Sequence, residues 1–208
     1  MIKGLFFTSD WHIGHSKVIE FDGRPFKNVD HMHEVLINNY NSVVTKETDI
    51  CYFLGDIGLT KGDQIKKVIS KLNGKKICIL GNHDRNRSFM IDQGFYDALN
   101  MASFAIGNSI VTMTHCPLRK IHRESVPNQR EGDAWHGEHK HEKFSIPDFG
   151  QFHLHGHIHS TPFNGKNKIE GRQYDVGVAA NNYRPVSISQ IESWIAKYNK
   201  KTKNDWLL

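Results

Sequence analysis

The chain has 208 residues, 24% of them charged and 38% hydrophobic, which fits one soluble globular domain rather than a disordered or membrane-embedded chain. Its net charge of +5 mildly favours phosphate-bearing ligands and serves solubility equally well, so it does not by itself define a nucleic-acid groove. Three cysteines are too few for a disulfide framework, no apolar run reaches the roughly 20 residues of a membrane span, and the short start MIKGLFFTSD reads as a strand, so the expected compartment is the cytosol.

Ile2 to Thr8 is a near-continuous apolar run and reads as a buried strand. Residues 16–27 are loop-like. A helix is expected from Val29 to Val44, with Met32, Val35, Leu36, Tyr40, Val43 and Val44 on one face and Asn28 as its N-cap. Asp49 to Leu54 is a second strand. A short basic helix from Asp63 to Leu72 turns Ile65, Val68, Ile69 and Leu72 inward and stops at Asn73-Gly74. Ile77 to Leu80 is a third strand, residues 85–94 a broken helix, and Met101 to Thr114 a hairpin around Gly107-Asn108. Phe152 to His155, Lys168 to Val178 and Pro185 to Ile188 are later strands. A last helix runs from Ser189 to Tyr198, and the lysine-rich residues 199–208 form a frayed tail. Alternation that gives way to β-rich sequence predicts an α/β (α+β) chain of two packed sheets with helices outside.

Five segments end in metal-ligand residue types: SDWHIGH (9–15), LGDIG (54–58), LGNHD (80–84), MTHCP (113–117) and LHGHIH (154–159). Four follow strongly apolar strand-like runs and the fifth follows the mixed run QFHL. Strand ends in an open α/β sheet converge on one crevice. Asp10 and His12, two apart in an extended chain, point to the same side, as do His157 and His159. Asp56 is a single carboxylate able to bridge two ions. Asn82 offers a neutral carbonyl suited to a hard cation, and Gly81 lets the chain turn after its strand. Taken singly, each motif is weak, since D-x-H also suits a turn and His115 also suits a core histidine. Cys116 beside His115 is read as a bystander rather than a nucleophile, and Cys51 and Cys78 as core residues.

The ordered set D-x-H, G-D, G-N-H-D, H and G-H-x-H resembles the calcineurin-like metallophosphoesterase superfamily. The RPF segment, HCPL and the Pro-Val-Ser near the end resemble its small bacterial and phage members. The resemblance spans roughly residues 2–195. It implies one domain over residues 1–208, folded as a four-layer αββα sandwich of two mixed sheets with outer helices. It also implies a binuclear centre. Asp10, His12 and His159 would hold one divalent ion, Asn82, His115 and His157 the other, and Asp56 would bridge them, with the ions about 3.5–4 Å apart. The family leans toward Mn²⁺, while the donors also suit Fe, Zn or Ni. The implied chemistry is attack on a phosphate ester by a hydroxide bridging the ions, with His83 protonating the leaving group or clamping the phosphate. Asp84 either orients His83 or caps the following helix. Asn82, His83, His15 and Arg24 are candidate substrate contacts, His15 being read either so or as a residue behind the metal ligands. Arg24, beside Pro25 and Phe26, is either a bidentate phosphate clamp or a structural anchor. His155 is expected behind the ligands and His153 in a structural role.

Residues 117–150 carry Arg119, Lys120, His122, Arg123, Arg130, Trp135, His136, His139 and His141. They are read as a lid over the metal site or as a surface loop, with a third metal at the histidines the least favoured reading. The expected substrate is a small phosphate ester, foremost a nucleotide-type diester. Phosphomonoesters and nucleic acid are the alternatives on the same site, and a non-catalytic metal-binding scaffold is the alternative in kind. No membrane partner is expected.

Overall fold

The computed structural model describes residues 4–60, 63–119 and 144–205. The first sheet joins β1 (Leu5–Thr8), β2 (Ile50–Phe53), β3 (Lys75–Ile79), β4 (Asp97–Leu99) and β10 (Val186–Ser187) in the order β10-β1-β2-β3-β4. β1 to β4 are mutually parallel and β10 runs antiparallel to β1. The second sheet joins β5 (Ala102–Ile106), β6 (Ser109–Met113), β7 (Phe152–His155), β8 (Ile169–Glu170) and β9 (Gln173–Asp175) in the order β5-β6-β7-β9-β8. Here β6, β7 and β9 are parallel and the two outer pairs antiparallel. Two mixed sheets with helices packed on them is thus the observed class, as the sequence predicts.

Apolar spacing explains the layers. α2 (Val29–Asn41) buries Met32, Leu36 and Tyr40, and α3 (Gln64–Ile69) buries Ile65, Val68 and Ile69. With Met90 of α4 (Arg87–Asp92) they cover Cys51, Phe53 and Cys78 on the outer face of the first sheet. Asn28 caps α2, its side chain accepting from the His31 N–H at 2.9 Å. The inner face of that sheet presents Leu5, Phe7 and Ile79 to Val111, Met113, Phe152 and Leu154 of the second, and the rings of Phe7 and Phe104 stack 5.6 Å apart across the gap.

Four elements depart from the sequence reading. The loop-like residues 16–27 contain a short helix, α1 (Lys17–Phe21). β4 was too short to carry a pattern. Lys168 to Val178 is two strands joined at Gly171 rather than one. α5 (Ile188–Asp205) continues well past Tyr198, with Lys197, Lys200 and Lys201 exposed on its turns. Ser187 starts it with a reciprocal cap: Gln190 Oε1 accepts from the Ser187 N–H at 2.8 Å and Ser187 Oγ from the Gln190 N–H at 3.4 Å. Ile191, Trp194 and Ile195 of α5 pack into the seam between the sheets. Among the described residues no helix covers the outward face of the hairpin, where Ser103, Ala105 and Ile110 are exposed, so the outer helix over the second sheet in the four-layer expectation is not seen there.

The ends of both parallel strand sets meet. A parallel bridge pairs Ser9 with Gly177 across the sheets, and the Ser9 hydroxyl donates to the Leu54 carbonyl at 2.7 Å. The segments after β1, β2, β3, β6 and β7 therefore empty into one place. Of the long segment between β6 and β7, Lys120, His122, Arg123, Arg130, Trp135, His136, His139 and His141 lie outside the described residues. Arg119 is described, its backbone N–H donating to Ile146.

Candidate metal centre

The seven predicted ligands come together at this junction. Asp10, His12 and His159 each place a donor atom within 4.8 Å of the others, and so do Asp10, Asp56 and His115. Asp10 thus belongs to both groups, and Asp56 is not alone in the middle. Asp56 Oδ1 lies 3.4 Å from His115 Nε2, while its Oδ2 lies 3.8 Å from His12 Nε2. One carboxylate so faces two clusters with separate oxygens. Asn82 Oδ1 is 2.9 Å from His115 Nε2, and the rings of His115 and His157 stand 5.1 Å apart.

The pairing of acceptors tests whether a cation fits. His115 Nδ1 donates to the Leu54 carbonyl at 2.7 Å. Its Nε2 then confronts the oxygens of Asn82 and Asp56, which are themselves acceptors. His159 Nδ1 is tied at 2.9 Å to both oxygens of Asp22, and its Nε2 meets His12 Nε2 at 3.0 Å and Asp10 Oδ1 at 3.5 Å. Lone pairs aimed at lone pairs require a proton or a metal ion between them. Mixed imidazole and oxygen donors of this kind fit divalent transition ions.

The field of the site agrees. Burial alone would lower His115, but the hydrogen bond to Asp56 and the charges of Asp10 and Asp56 raise it to about 9. Burial opposes the same effect at His159, where the charge of Asp10 and the bonds to Asp10 and Asp22 raise it to about 10. Burial would raise Asp10, yet the neighbouring histidines, His159 foremost, hold its carboxyl well below the usual range. His12 is lowered to about 4, mainly by burial. The carboxylates thus favour positive charge at His115 and His159.

The backbone is bent to reach this geometry. Asp10, His12, Asp56, His157 and His159 have φ of 58°, 50°, 53°, 69° and 47°. Left-handed backbone in non-glycine residues is uncommon and concentrates at functional sites. The expected extended alternation of Asp10 with His12, and of His157 with His159, is therefore not the mechanism of convergence. Each pair is aimed by left-handed turns. Hydrogen bonds hold them: the Asp10 N–H donates to the Gly55 carbonyl, the His12 N–H to the Asp56 carbonyl, and the His157 N–H to the Asp10 carboxylate at 3.1 Å. Gly81 acts by its size rather than by an abrupt turn, because a Cβ there would strike the backbone and carboxylate of Asp56.

His83 stands at the rim, its side chain 45% exposed and its Nε2 4.0 Å from Asp56 Oδ2. His15 is half-buried near it, its ring 5.8 Å from that of His12. Two expectations are corrected. Arg24 does not face the opening. It is 4% exposed, donating to Asp22 Oδ2 at 2.8 and 2.9 Å and to the Asp10 carbonyl at 3.0 Å. It anchors Asp22 and the Asp10 turn. Asp84 neither orients His83 nor caps a helix. Its oxygens accept the N–H groups of Asp56, Ile57 and Gly81 at 2.8, 2.9 and 2.9 Å, while Asn86 caps α4. Desolvation, then the charge of Asp56, raises Asp84 to about 6.

Sequence reasoning missed Asp22, which sits behind His159 as the partner that sets its tautomer. It also passed over Asp175, fully buried, whose oxygens accept from Ser160 and Gly177 and brace the GHIH segment. His155 is buried there, with Nδ1 2.9 Å from the Gly156 carbonyl. His153 is structural, bonded to Thr112 and Thr114. Cys116 lies within 4.8 Å of His115 and His157 donor atoms. Burial and the charges of Asp56 and Asp10 push its thiol up to about 12, a neutral state that does not suit a nucleophile.

Fold and cluster together define a two-sheet α/β protein with a candidate metal centre at its strand ends. By sequence the chain belongs to one family with the gene 66 proteins of Mycobacterium phages L5 and D29. It is 32% identical to the L5 protein, covering 86% of this chain and 88% of that protein, and 31% identical to the D29 protein, covering 86% and 89%. It is also similar to the uncharacterized protein MJ1445 of Methanocaldococcus jannaschii, 29% identical over 94% of this chain and 93% of that one. No family model matches. A crystal structure of the protein of unknown function AQ665 from Aquifex aeolicus shares the fold, with a TM-score of 0.65 at 20% identity over 91% of this chain and 98% of that one.

Proposed function

We propose that this protein is a metal-dependent phosphoesterase of the calcineurin-like type, acting on small phosphate esters and foremost on nucleotide-type diesters. The observation that carries the reading is the convergence of Asp10, His12, Asp56, Asn82, His115, His157 and His159 with acceptor facing acceptor, five of them on left-handed backbone. Such a donor set fits two divalent ions, with Mn²⁺ favoured. Bound there, they supply Lewis acidity toward a phosphoryl group and its attacking water.

The chain's own residues supply the rest. Asp10, shared between the two groups, and Asp56, whose two oxygens face His115 and His12, keep the donor clusters in one rigid unit. Asp22 and the Leu54 carbonyl hold the Nδ1 hydrogens of His159 and His115, which turns both Nε2 atoms inward. His83, at the rim beside Asp56 and outside the donor groups, is positioned to give a proton from Nε2 to the leaving oxygen.

A panel of bis-p-nitrophenyl phosphate, p-nitrophenyl phosphate, cyclic nucleotides and single-stranded DNA, each with Mn²⁺ and with or without EDTA, tests the proposal. Turnover of a diester that EDTA abolishes is expected. Preference for the monoester or for DNA would move the substrate class, and no turnover of any member would favour a metal-binding scaffold.

A further inference from the structure

A cleft of about 540 Å³ opens beside His83. Its floor is apolar, with Ile65 and Met90 buried, and Leu59 and Phe89 form its walls. His83 and Arg85 line its rim. No residue of the cleft belongs to the seven-donor cluster.

We propose that this cleft takes a planar aromatic group on the leaving side of the ester, with Phe89 and Arg85 as its specificity-determining residues. The inference rests on the hydrolase reading for the word leaving, and on the cleft itself for the word aromatic. Three observations carry it. The Arg85 guanidinium already lies over the Phe89 ring at 4.3 Å. A planar cation on an aromatic face is a platform on which a further ring stacks better than an aliphatic chain does. Next, among the described residues Asp84 is the one carboxylate lining the cleft, and its oxygens are engaged by three backbone N–H groups. It is therefore poorly disposed to hold an ammonium group or a cluster of hydroxyls. Lastly, His83 joins the cleft to the donor cluster, since its Nε2 lies 4.0 Å from Asp56 Oδ2. A phosphoryl group at the cluster thus directs the substituent nearest His83 into the cleft. The volume falls in the range of sites for small organic ligands.

The test has an arm that needs neither metal nor turnover. Backbone amide shifts of the whole protein are followed on titration with benzyl alcohol and with cyclohexylmethanol, which have rings of equal size. Benzyl alcohol is expected to shift Leu59, Arg85, Phe89 and Met90 much more than cyclohexylmethanol does, and Phe89→Leu or Arg85→Met to remove the difference. Equal responses, or none at these residues, would overturn the aromatic site. The second arm compares bis-p-nitrophenyl phosphate with methyl p-nitrophenyl phosphate, which share a leaving group. Loss of the stacking partner in Phe89→Leu should raise KM for both by about three- to tenfold, with kcat little changed. A rise for the bis-aryl ester alone would put the retained group in the cleft and overturn the assignment. Benzyl alcohol binding without hydrolysis of either ester would sink the hydrolase reading, and the leaving-side assignment with it.

Discussion

At the scale of single residues, the proposed chemistry assigns ions to the donor cluster and a proton to one side chain outside it. His83 lies at the rim and in none of the donor groups. His83→Ala is expected to keep its metal content by elemental analysis while kcat falls about 10²–10⁴-fold, and full activity in that variant would remove His83 from its role. Asp22 acts through His159. Asp22→Asn keeps the shape but weakens the acceptor behind the ring, and Mn²⁺ affinity by calorimetry should fall about 10–100-fold. The pH dependence has a definite sign. His115 and His159 are raised to about 9 and about 10, so both carry an extra proton at neutral pH. An ion needs their neutral form and must displace those protons. Metal uptake should release protons and tighten as pH rises toward 9. Calorimetry in two buffers of different ionisation enthalpy reads this directly, and identical enthalpies would contradict it.

At the scale of elements, the strand ends were legible because buried strands are apolar runs and each run stops at a Gly, Asp or His. The hairpin was legible from Gly107-Asn108, where Ile106 pairs with Ser109. Other features left no pattern to read. α1 is five residues long and β4 three, too short for a period to show. Asp22 follows α1 with no spacing that ties it to His159, which is 137 residues away, and so its partner Arg24 looked available for phosphate. The left-handed turns at Asp10, His12, Asp56, His157 and His159 were hidden because none of these residues is a glycine. Gly81 and Gly156 in the same segments are constrained by contact instead. A Cβ on Gly156 would strike Ser9 Oγ and the Asp10 carboxylate. Gly156→Ala is therefore expected to lower both thermal stability and Mn²⁺ affinity, measured by thermal unfolding and calorimetry on the same sample. A variant that unfolds and binds as the parent does would show that this contact yields freely.

At the scale of the molecule, two sheets meet at the Ser9–Gly177 bridge and bring five distant segments to one junction. The price of that junction is several left-handed residues and a concentration of buried charge, which cations would relieve. Ions that bind only the folded chain should stabilise it. At about 100 times the dissociation constant this amounts to roughly 2.7 kcal/mol, or about 5–10 °C in Tm for a domain of this size, reversed by EDTA. Anomalous diffraction from manganese-soaked crystals counts the ions at the junction. Two peaks about 3.5–4 Å apart, flanking the Asp56 carboxylate, are the expected result; a single peak, or none between Asp10, Asp56 and His115, would rule out a binuclear centre.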